Sequence, residues 1–422
     1  MNHPYNTVSV VGLGYIGLPT AAILASHGLN VIGVDVAPGV VDSLNNGKVH
    51  IVEPDLDSMV HMAVINKRLG ATLKPSPADA FIIAVPTPIT EGNRPDVSFV
   101  MSAARGIAPV LAKNNLIILE STSPVGTTEE MVAMLAKLRP DISFPGPGGK
   151  PADVRVAYCP ERVLPGRILK ELVENDRIIG GITPACAAEA QKLYGVFVRG
   201  ECIVTDARTA EMTKLTENAF RDVNIAFANE LSLICEKVGI DVWELISLAN
   251  RHPRVNILQP GPGVGGHCIA VDPWFIVHSA PEQARLLRTA REVNDAKPEF
   301  VISQVRKKTR KFNNPVVACL GLAFKADIDD LRESPALHIT EKLAEESKWS
   351  LLVVEPYISE LPIGLKGKAN VAHSSLDEAL QKADVVLMLV NHKQFANISP
   401  ESLKGKELVD TRGVWRAHRR VS

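Results

Sequence analysis

The chain has 422 residues, of which 46% are hydrophobic and 22% are charged, and its formal net charge is -1. This composition is typical of a globular enzyme of two or three domains, without the basic excess that binds nucleic acid or an anionic membrane. Any polyanionic ligand must therefore be bound by locally placed charges.

The apolar run at residues 8–25 is not expected to be a signal peptide. No Lys or Arg precedes Lys48, so the positively charged region that begins a signal peptide is missing. Elsewhere no apolar stretch reaches the roughly 18 to 20 residues that span a bilayer. We therefore expect a cytoplasmic protein without a membrane partner.

The cysteines are widely spaced, and no CxxC pair suggests a redox motif or a zinc site. We expect reduced thiols and no bound metal, with most of the cysteines packed as small hydrophobic residues. They stand at positions 159, 186, 202, 235, 268 and 319.

The first 200 residues alternate short, apolar, β-branched runs with helical stretches. Such runs predict the buried strands of a parallel sheet that helices cover on both faces. The runs are TVSVVGLG from Thr7, NVIGVDV from Asn30, AFIIAVPTP from Ala80, LIILESTSPVG from Leu116, and then VRVAYCPERV and DRIIGG.

The pattern becomes helical in the middle of the chain. Apolar residues recur at helical spacing, without Pro or Gly, from Thr209 to Val238, and Gly239 is a typical C-cap. Shorter helices are predicted at 242–250 and 282–294, on either side of the Gly- and Pro-rich segment 259–273.

Strand and helix alternation then resumes, with a helix predicted after Ser334. The apolar runs of this part begin at Pro315, Ser350, Asp384 and Glu407. The whole pattern predicts an α/β fold: two doubly wound, Rossmann-like domains, at 1–200 and 301–422, are joined by a long central helix within a helical region at 201–300.

The clearest ligand motif is GLGYIG, Gly12 to Gly17, which follows the first strand and opens the first helix. Glycines there let a pyrophosphate approach the backbone at a helix N-terminus. Asp35 ends the second strand 18 residues after Gly17, where a carboxylate binds a ribose diol and repels a 2′-phosphate. A merely structural tight turn is the alternative, but strand, helix and acid together predict NAD binding.

Hydroxyl side chains follow two further strands, at Thr87 and at Thr122, Thr127 and Thr128. Because the carboxyl ends of parallel strands border the ligand crevice, these are candidate cofactor or substrate contacts. For Thr127 and Thr128, which precede an acidic helix start, N-capping is an equally good interpretation.

Cys268 lies in a loop that also contains glycines at positions 261, 263, 265 and 266. Such a loop lets a ligand approach the main chain and can aim several N–H groups at one point. Beside a nicotinamide, a thiolate can attack an aldehyde, and loss of a hydride from the thiohemiacetal leaves a thioester that water hydrolyses. For a lone cysteine, a small residue in a tight loop is ordinarily the better interpretation.

The residues near this cysteine favour a catalytic role over a structural one. Asp272 and His267 provide a proton acceptor near the sulfur if the turn folds back. On the long helix, Lys214, Asn218 and Arg221 lie at i, i+4 and i+7 on one face, where they could hold an oxyanion or an ordered water. A solvated polar face is an equally good interpretation of that spacing.

Several charged residues lie in loop-like contexts. Glu161, in YCPERV, follows a strand and could act as a general base or position water. Arg162, His252, Arg254 and Lys325 suit a diphosphate, although each could be an ordinary surface charge.

Over essentially its whole length the chain resembles the nucleotide-sugar dehydrogenases that form uronic acids, the superfamily of UDP-glucose and GDP-mannose 6-dehydrogenases. The motifs that carry the resemblance are GLGYIGLP, ESTSPVG, the proline-glutamate after the following strand, EMTKLTENAFRDVN and GPGVGGHCIAVDPWF. It implies a four-electron, NAD-dependent oxidation of a sugar alcohol to a carboxylate. Cys268 would be the nucleophile, Lys214 the general acid/base or oxyanion stabiliser, and Asp272 would assist the cysteine.

The resemblance also implies a homodimer with the long helix at its core, in which residues such as Arg254 contribute to the site of the partner. It further implies which residues bind the two ligands. NAD would be held by Gly12, Gly14, Tyr15, Ile16, Gly17, Asp35, Thr87, Thr122, Thr128 and Arg332. The UDP-sugar would be held by Arg162, Val163, Lys214, Asn218, Arg221, His252, Arg254, Gly265, Lys325 and Arg412, while Glu161 and Asn218 join the catalytic set.

More narrowly, the stretches ELSLICE, NRHPRVN and IDDLRESPA resemble the branch that oxidises UDP-N-acetyl-D-mannosamine for cell-surface polysaccharides such as enterobacterial common antigen. Val271 and Cys159 stand where the UDP-glucose branch has Lys and Asn, which favours an N-acetylhexosamine. A UDP-N-acetylglucosamine 6-dehydrogenase, a two-electron dehydrogenase and a non-catalytic regulator that binds NAD and a nucleotide sugar remain alternatives.

Overall fold

The computed structural model describes residues 5–146, 149–164, 166–266 and 268–415. It separates into two compact units: unit 1 comprises Met1–Glu217 and Trp274–Ala280, and unit 2 comprises Asn218–Pro273 and Pro281–Ser422. The domain boundaries near 200 and 300 stay predictions.

The strands of unit 1 form an eight-stranded sheet and a small hairpin. They are β1 Thr7–Val11, β2 Asn30–Val34, β3 Leu69–Thr72, β4 Ala80–Ile83, the hairpin β5 Ile89–Thr90 and β6 Arg94–Pro95, β7 Leu116–Leu119, β8 Arg155–Tyr158, β9 Arg177–Gly181 and β10 Cys202–Asp206. The sheet order is β10-β9-β8-β7-β4-β1-β2-β3, and neighbouring strands are parallel except β8 and β9. Every residue of β4 and β7 is buried, as expected for strands that helices cover on both faces.

Helices connect these strands. They are α1 Gly17–Ser26, α2 Pro38–Asn45, α3 Leu56–Ile65, α4 Ser98–Ile107, which is followed by a 3₁₀ turn at Ala108–Val110, α5 Thr127–Leu138, α6 Ile168–Glu174 and α7 Pro184–Tyr194. Hydrophobic clusters from these helices pack on the sheet, so α1 and the ends of β1 and β2 are held in register.

The predicted central helix is present as α8, Ala207–Val238, with 32 residues. It is followed by α9 Val242–Ala249, α10 Asp272–Ser279 and α11 Arg285–Thr309. Helix α10, which begins at the end of the Gly- and Pro-rich segment 259–273, was not predicted. The expected end of the next helix at residue 294 was wrong, because α11 continues through Pro298.

Unit 2 also contains a five-stranded parallel sheet. Its strands are β11 Val316–Leu320, β12 Ser350–Val354, β13 Val371–His373, β14 Val385–Met388 and β15 Glu407–Asp410, in the order β13-β12-β11-β14-β15. The accompanying helices are α12 Pro335–Glu345, α13 Leu376–Lys382, α14 Lys393–Ala396 and α15 Pro400–Leu403. The predicted α/β fold class is confirmed by one mostly parallel sheet, one fully parallel sheet and the long helix.

Within the described residues, none of the helices combines the length and the apolar character that crossing a membrane requires.

Candidate active site

The glycine motif forms the tight turn between β1 and α1. Gly12 has a φ of 92°, and a side chain at Gly12 or Gly17 would overlap a backbone carbonyl oxygen, of Ala84 and of Gly12 respectively. The N-cap residue of α1, Ile16, makes no side-chain capping bond. The first N–H groups of α1 therefore suit a pyrophosphate.

Asp35 lies immediately after β2 and is held in place by the backbone. Its carboxylate accepts hydrogen bonds from the Leu13 N–H at 3.0 Å and the Ala37 N–H at 2.9 Å. The side chain is half-buried, so part of the carboxylate still faces outward. This arrangement fits the ribose diol of NAD.

The threonines after β7 have different surroundings. Thr122 is half-buried, whereas Thr128 is buried and donates its hydroxyl to Glu211 of α8 at 2.6 Å. Glu211 also accepts the Gly126 and Thr128 N–H groups at the start of α5, and burial raises its pKa even though these bonds oppose the shift. Thr127 donates to the Pro124 carbonyl. Neither threonine is the N-cap of α5, which is Gly126 without a side-chain capping bond, so the N-capping interpretation was wrong. The ligand contacts of Thr127 and Thr128 stay predictions.

Unit 1 brings Lys214 and Glu161 together, although they lie far apart in the sequence. The Lys214 Nζ is 3.8 Å from the Glu161 Oε1, and both residues are nearly buried. Glu161 also accepts the Val163 N–H at 2.8 Å, which fixes the direction of its carboxylate. A buried lysine and carboxylate in contact can exchange protons with a bound ligand.

Arg162 has a partner of its own in unit 1. Its guanidinium forms two bonds with Glu217, the closer at 2.7 Å, and donates to the Asp176 carbonyl. A diphosphate that binds Arg162, as predicted, would therefore compete with Glu217 for this guanidinium.

A second buried ion pair lies in the core of unit 1. Glu120, which follows β7, accepts hydrogen bonds from Arg177 at 3.3 Å and Tyr194 at 3.2 Å. Burial raises the pKa of Glu120, and the positive charge of Arg177 opposes this shift. Cys159 is buried too, and burial raises its pKa to about 12, so this thiol stays neutral, consistent with packing.

Unit 2 contains the reactive-loop candidate, residues 259–273. All six cysteines lie in the described part of the chain, and Cys268 is the one whose side chain is exposed. Its carbonyl accepts the N–H groups of Val271 at 3.1 Å and Asp272 at 2.8 Å. The predicted turn between Cys268 and Asp272 is therefore present, whereas His267 lies outside the described residues.

Helix α8 holds this loop near both ends. Asn218 donates to the Asp272 carboxylate at 2.5 Å, and the side-chain oxygen of Asn229 accepts the Gly261 N–H at 2.9 Å. The two asparagines are 11 residues apart, which is about three helical turns, so they lie on the same face of the helix.

Asn229 is part of a fully buried polar chain. Its amide donates to Asn294 at 2.8 Å, Asn294 donates to Asp222 at 2.8 Å, and Arg291 pairs with the same carboxylate at 2.7 Å. Burial raises the pKa of Asp222, while the charge and hydrogen bond of Arg291 oppose the shift. None of these four residues was predicted as part of the site, because polar residues on an amphipathic helix are usually solvated.

The glycines of the loop are required by close packing against a second loop, residues 321–334, and against Pro335 at the start of α12. A side chain at Gly265 would overlap the Glu333 carbonyl oxygen and lie 2.6 Å from Pro335. Gly266 has a φ of 84°, and its added carbon would lie 3.0 Å from the Phe324 ring.

The predicted cations of unit 2 lie in different environments. The guanidinium of Arg412 reaches Gly261, donates to the Leu389 carbonyl at 3.0 Å and has its pKa lowered to about 10 by burial, which Asp410 opposes. Arg332 binds Asp330 through two guanidinium nitrogens, and Lys325 is half-buried in the same segment. Arg221, His252 and Arg254 are exposed. Their substrate and cofactor contacts stay predictions.

Comparison with known proteins covers nearly the whole chain. Residues 6–198 match the NAD binding domain of the UDP-glucose/GDP-mannose dehydrogenase family, residues 208–296 its central domain and residues 318–417 its UDP binding domain. The chain is 61% identical over 415 residues to the NDP-N-acetyl-D-galactosaminuronic acid dehydrogenase of Ralstonia nicotianae, covering 98% of this chain and 97% of that protein. It is 59% identical over 420 residues to the UDP-N-acetyl-D-mannosamine dehydrogenase of Escherichia coli K12, covering 98% and 100%.

Solved structures of related enzymes also match nearly the whole chain. The UDP-N-acetyl-mannosamine dehydrogenase of Staphylococcus aureus superposes with a TM-score of 0.84 at 42% identity, covering 97% of this chain and 95% of that one. The corresponding enzyme of Pyrococcus horikoshii superposes with a TM-score of 0.86 at 39% identity, covering 97% and 96%.

Proposed function

The chain belongs to the UDP-glucose/GDP-mannose dehydrogenase family, and on that premise we propose that it oxidises C6 of UDP-N-acetyl-D-mannosamine from the alcohol to the carboxylate. The observation that carries the proposal is the exposed Cys268 on a glycine-rich loop whose far end, at Asp272, is tied to Asn218. Relatives named UDP-N-acetyl-D-mannosamine dehydrogenase, 59 to 60% identical over at least 94% of this chain, support the substrate.

The cofactor is NAD, which when bound accepts the two electrons of each oxidation as a hydride. The turn at Gly12, the uncapped start of α1 and the carboxylate of Asp35 fit its pyrophosphate and ribose. These residues bind and orient; they do not take part in bond making.

In the proposed reaction, the first oxidation gives the aldehyde. The Cys268 thiolate then adds to the aldehyde carbon, which forms a thiohemiacetal; departure of a second hydride leaves a thioester, and water releases the carboxylate and the thiol. Asp272 serves as a proton acceptor near the cysteine sulfur, and Lys214 protonates or stabilises the oxyanion. Glu161, in contact with Lys214, activates the hydrolytic water, and Asn218 orients Asp272.

The covalent role is tested with C268S and C268A. Both variants should lose uronate formation while NAD affinity, measured by calorimetry, stays nearly intact, since the cysteine lies in unit 2 and the NAD motif in unit 1. The matched control is C202S, because Cys202 is half-buried in β10. Undiminished uronate output from either Cys268 variant would refute the mechanism. A yield near one NADH per sugar in the unaltered protein would instead identify a two-electron dehydrogenase.

A second candidate substrate is an NDP-N-acetyl-D-galactosamine, because the two Ralstonia relatives named for galactosaminuronic acid are 60 to 61% identical to this chain. The UDP-N-acetylglucosamine alternative differs from the manno sugar at C2 alone. Initial rates of NADH formation with the three sugars decide among them. A higher kcat/KM with the galacto or gluco sugar would identify that sugar as the substrate in place of the manno sugar.

The product would supply a cell-surface polysaccharide such as enterobacterial common antigen, and we place the reaction in the cytoplasm, where the Cys268 thiol stays reduced.

We also propose a homodimer built on α8. Phe220, Phe227 and Ile234 recur every seven residues on one face of the helix and are 67%, 51% and 49% exposed. Light scattering should give twice the monomer mass for the unaltered chain and a monomer for F227E, whereas F99E, at an equally exposed site of unit 1, should stay dimeric. A dimeric F227E would refute this interface.

A further inference from the structure

The second unit repeats the nucleotide-binding turn of the first. Gly321 has a φ of 92°, the same as Gly12, and its N–H donates to Val354 at 2.9 Å as that of Gly12 donates to Val34 at 2.8 Å. Glu355 stands after the second strand of its sheet as Asp35 does in unit 1, and it accepts the Leu322 N–H at 2.7 Å. Glu355 therefore occupies the position of a ribose-binding carboxylate.

This carboxylate is already saturated by the protein. It accepts the N–H groups of Leu322, Ala323 and Tyr357, and its fourth partner is the Nε2 of His392 at 3.1 Å. Glu355 is 2% exposed, and a carboxylate has about four acceptor sites, so no site is left for a ribose. His392 thus takes the place that a ribose hydroxyl would occupy.

The other nitrogen of His392 holds a different part of the same loop. Nδ1 accepts the Asp327 N–H at 2.9 Å, which requires the neutral ring with its proton on Nε2. Asp327 has a left-handed φ of 62°, and its carboxylate accepts the Tyr357 hydroxyl at 3.1 Å and the Lys393 N–H at 3.0 Å. His392 itself is fully buried.

The loop held in this way, residues 321–334, carries Lys325 and Arg332, the predicted substrate and cofactor contacts. Its Phe324 also packs on Gly266 of the Cys268 loop. We propose that His392 is a positioning residue for the reaction: by joining Glu355 to the Asp327 main chain, it sets the conformation of the loop that presents Lys325 and Arg332. This role rests on the proposed function.

Groups of both charges surround His392. The charged or titratable groups that face His392 are Glu355, Asp327, Tyr357 and Lys393. Burial alone would raise the pKa of Glu355, but hydrogen bonds from His392 and the backbone outweigh it and lower the pKa. A proton on Nδ1 would face the Asp327 N–H and break that bond.

The test compares H392F, H392Q and the control H373F, which changes an exposed histidine on β13 of the same sheet. H392F should weaken UDP binding, measured by calorimetry, by about tenfold or more and raise KM for the UDP-sugar more than it lowers kcat. Amide exchange of residues 321–334 should accelerate by a similar factor. H392Q, whose amide can both donate and accept, should recover most of the UDP affinity, and H373F should match the unaltered protein.

UDP affinity and loop exchange in H392F equal to those of H373F would overturn the proposal. If H392F does not fold, H392A, which removes both hydrogen bonds without adding bulk, takes its place in the same two measurements, and values equal to those of H373F would overturn the proposal. Amide exchange of residues 321–334 can be measured without catalytic turnover. Faster exchange in H392F without UDP-sugar oxidation by the unaltered protein would therefore refute only the proposed function.

Discussion

Replacing Asn229 with alanine tests whether α8 holds the reactive loop at its beginning. The substitution leaves two buried groups without their partner, the Gly261 N–H and the Asn294 side-chain oxygen. An unsatisfied buried group costs about 1–3 kcal/mol, so N229A should lower the free energy of unfolding by roughly 2–6 kcal/mol. Since a shift of about 1 Å at a reacting atom can cost about a hundredfold in rate, kcat should fall by a comparable factor.

The control is N224A, on the same helix. Asn224 is half-buried, and its side-chain amide donates to the Phe220 carbonyl one turn earlier, so its loss should change the free energy of unfolding by less than about 1 kcal/mol. Urea unfolding followed by circular dichroism gives the stability, and NADH formation at saturating substrate gives kcat. If N229A unfolds at the same urea concentration as N224A and keeps its kcat, the proposed anchoring is incorrect.

Three further predictions concern two buried charged side chains and one loop glycine. R177M leaves the buried Glu120 carboxylate without its charged partner and should lower the free energy of unfolding in urea by about 3–5 kcal/mol. The double variant R177M/E120Q should recover part of this loss. An unchanged midpoint of urea unfolding in R177M would refute a stabilising role of the ion pair. Burial lowers the pKa of Lys297 from 10.5 to about 8, which Glu236 opposes, so the unfolded chain binds more protons between these values and stability should rise with pH across that window. The free energy of unfolding of K297M minus that of the unaltered protein should be about 3 kcal/mol larger at pH 7 than at pH 10; a difference that does not change with pH would refute this. G265A should reduce kcat by about a hundredfold with NAD affinity retained, because the added carbon displaces the Glu333 carbonyl or the loop; normal kcat would show that the loop has room.

Local patterns predicted the elements whose periodicity is strong. The fully apolar strands and α8 follow directly from their spacing, and the observed helix starts two residues before the predicted Thr209. Helix α10 was missed because Pro273 follows a Gly-rich run, although Pro is well suited to the first turn of a helix. The continuation of α11 through Pro298 was missed because an interior Pro usually ends a helix.

Candidate site residues could be selected from the sequence, but their pairings could not. Lys214 and Glu161 were each selected, yet their contact depends on tertiary packing that no local pattern encodes. Asn229 and His392 were missed because a buried amide on a helix and a histidine after a strand resemble solvated residues until their partners are known. The prediction that Cys268 is the nucleophile rests on family resemblance rather than on spacing.

The anchoring of one loop by Asn218 and Asn229 makes α8 sensitive to its length. Deleting a single residue between them would rotate one amide by about 100° around the helix axis and shift it by about 1.5 Å. One end of the loop would then face the wrong side of the helix, whichever residue was removed. Substitutions in this stretch can be judged one by one, but insertions and deletions there should inactivate the protein even where every side chain is exposed.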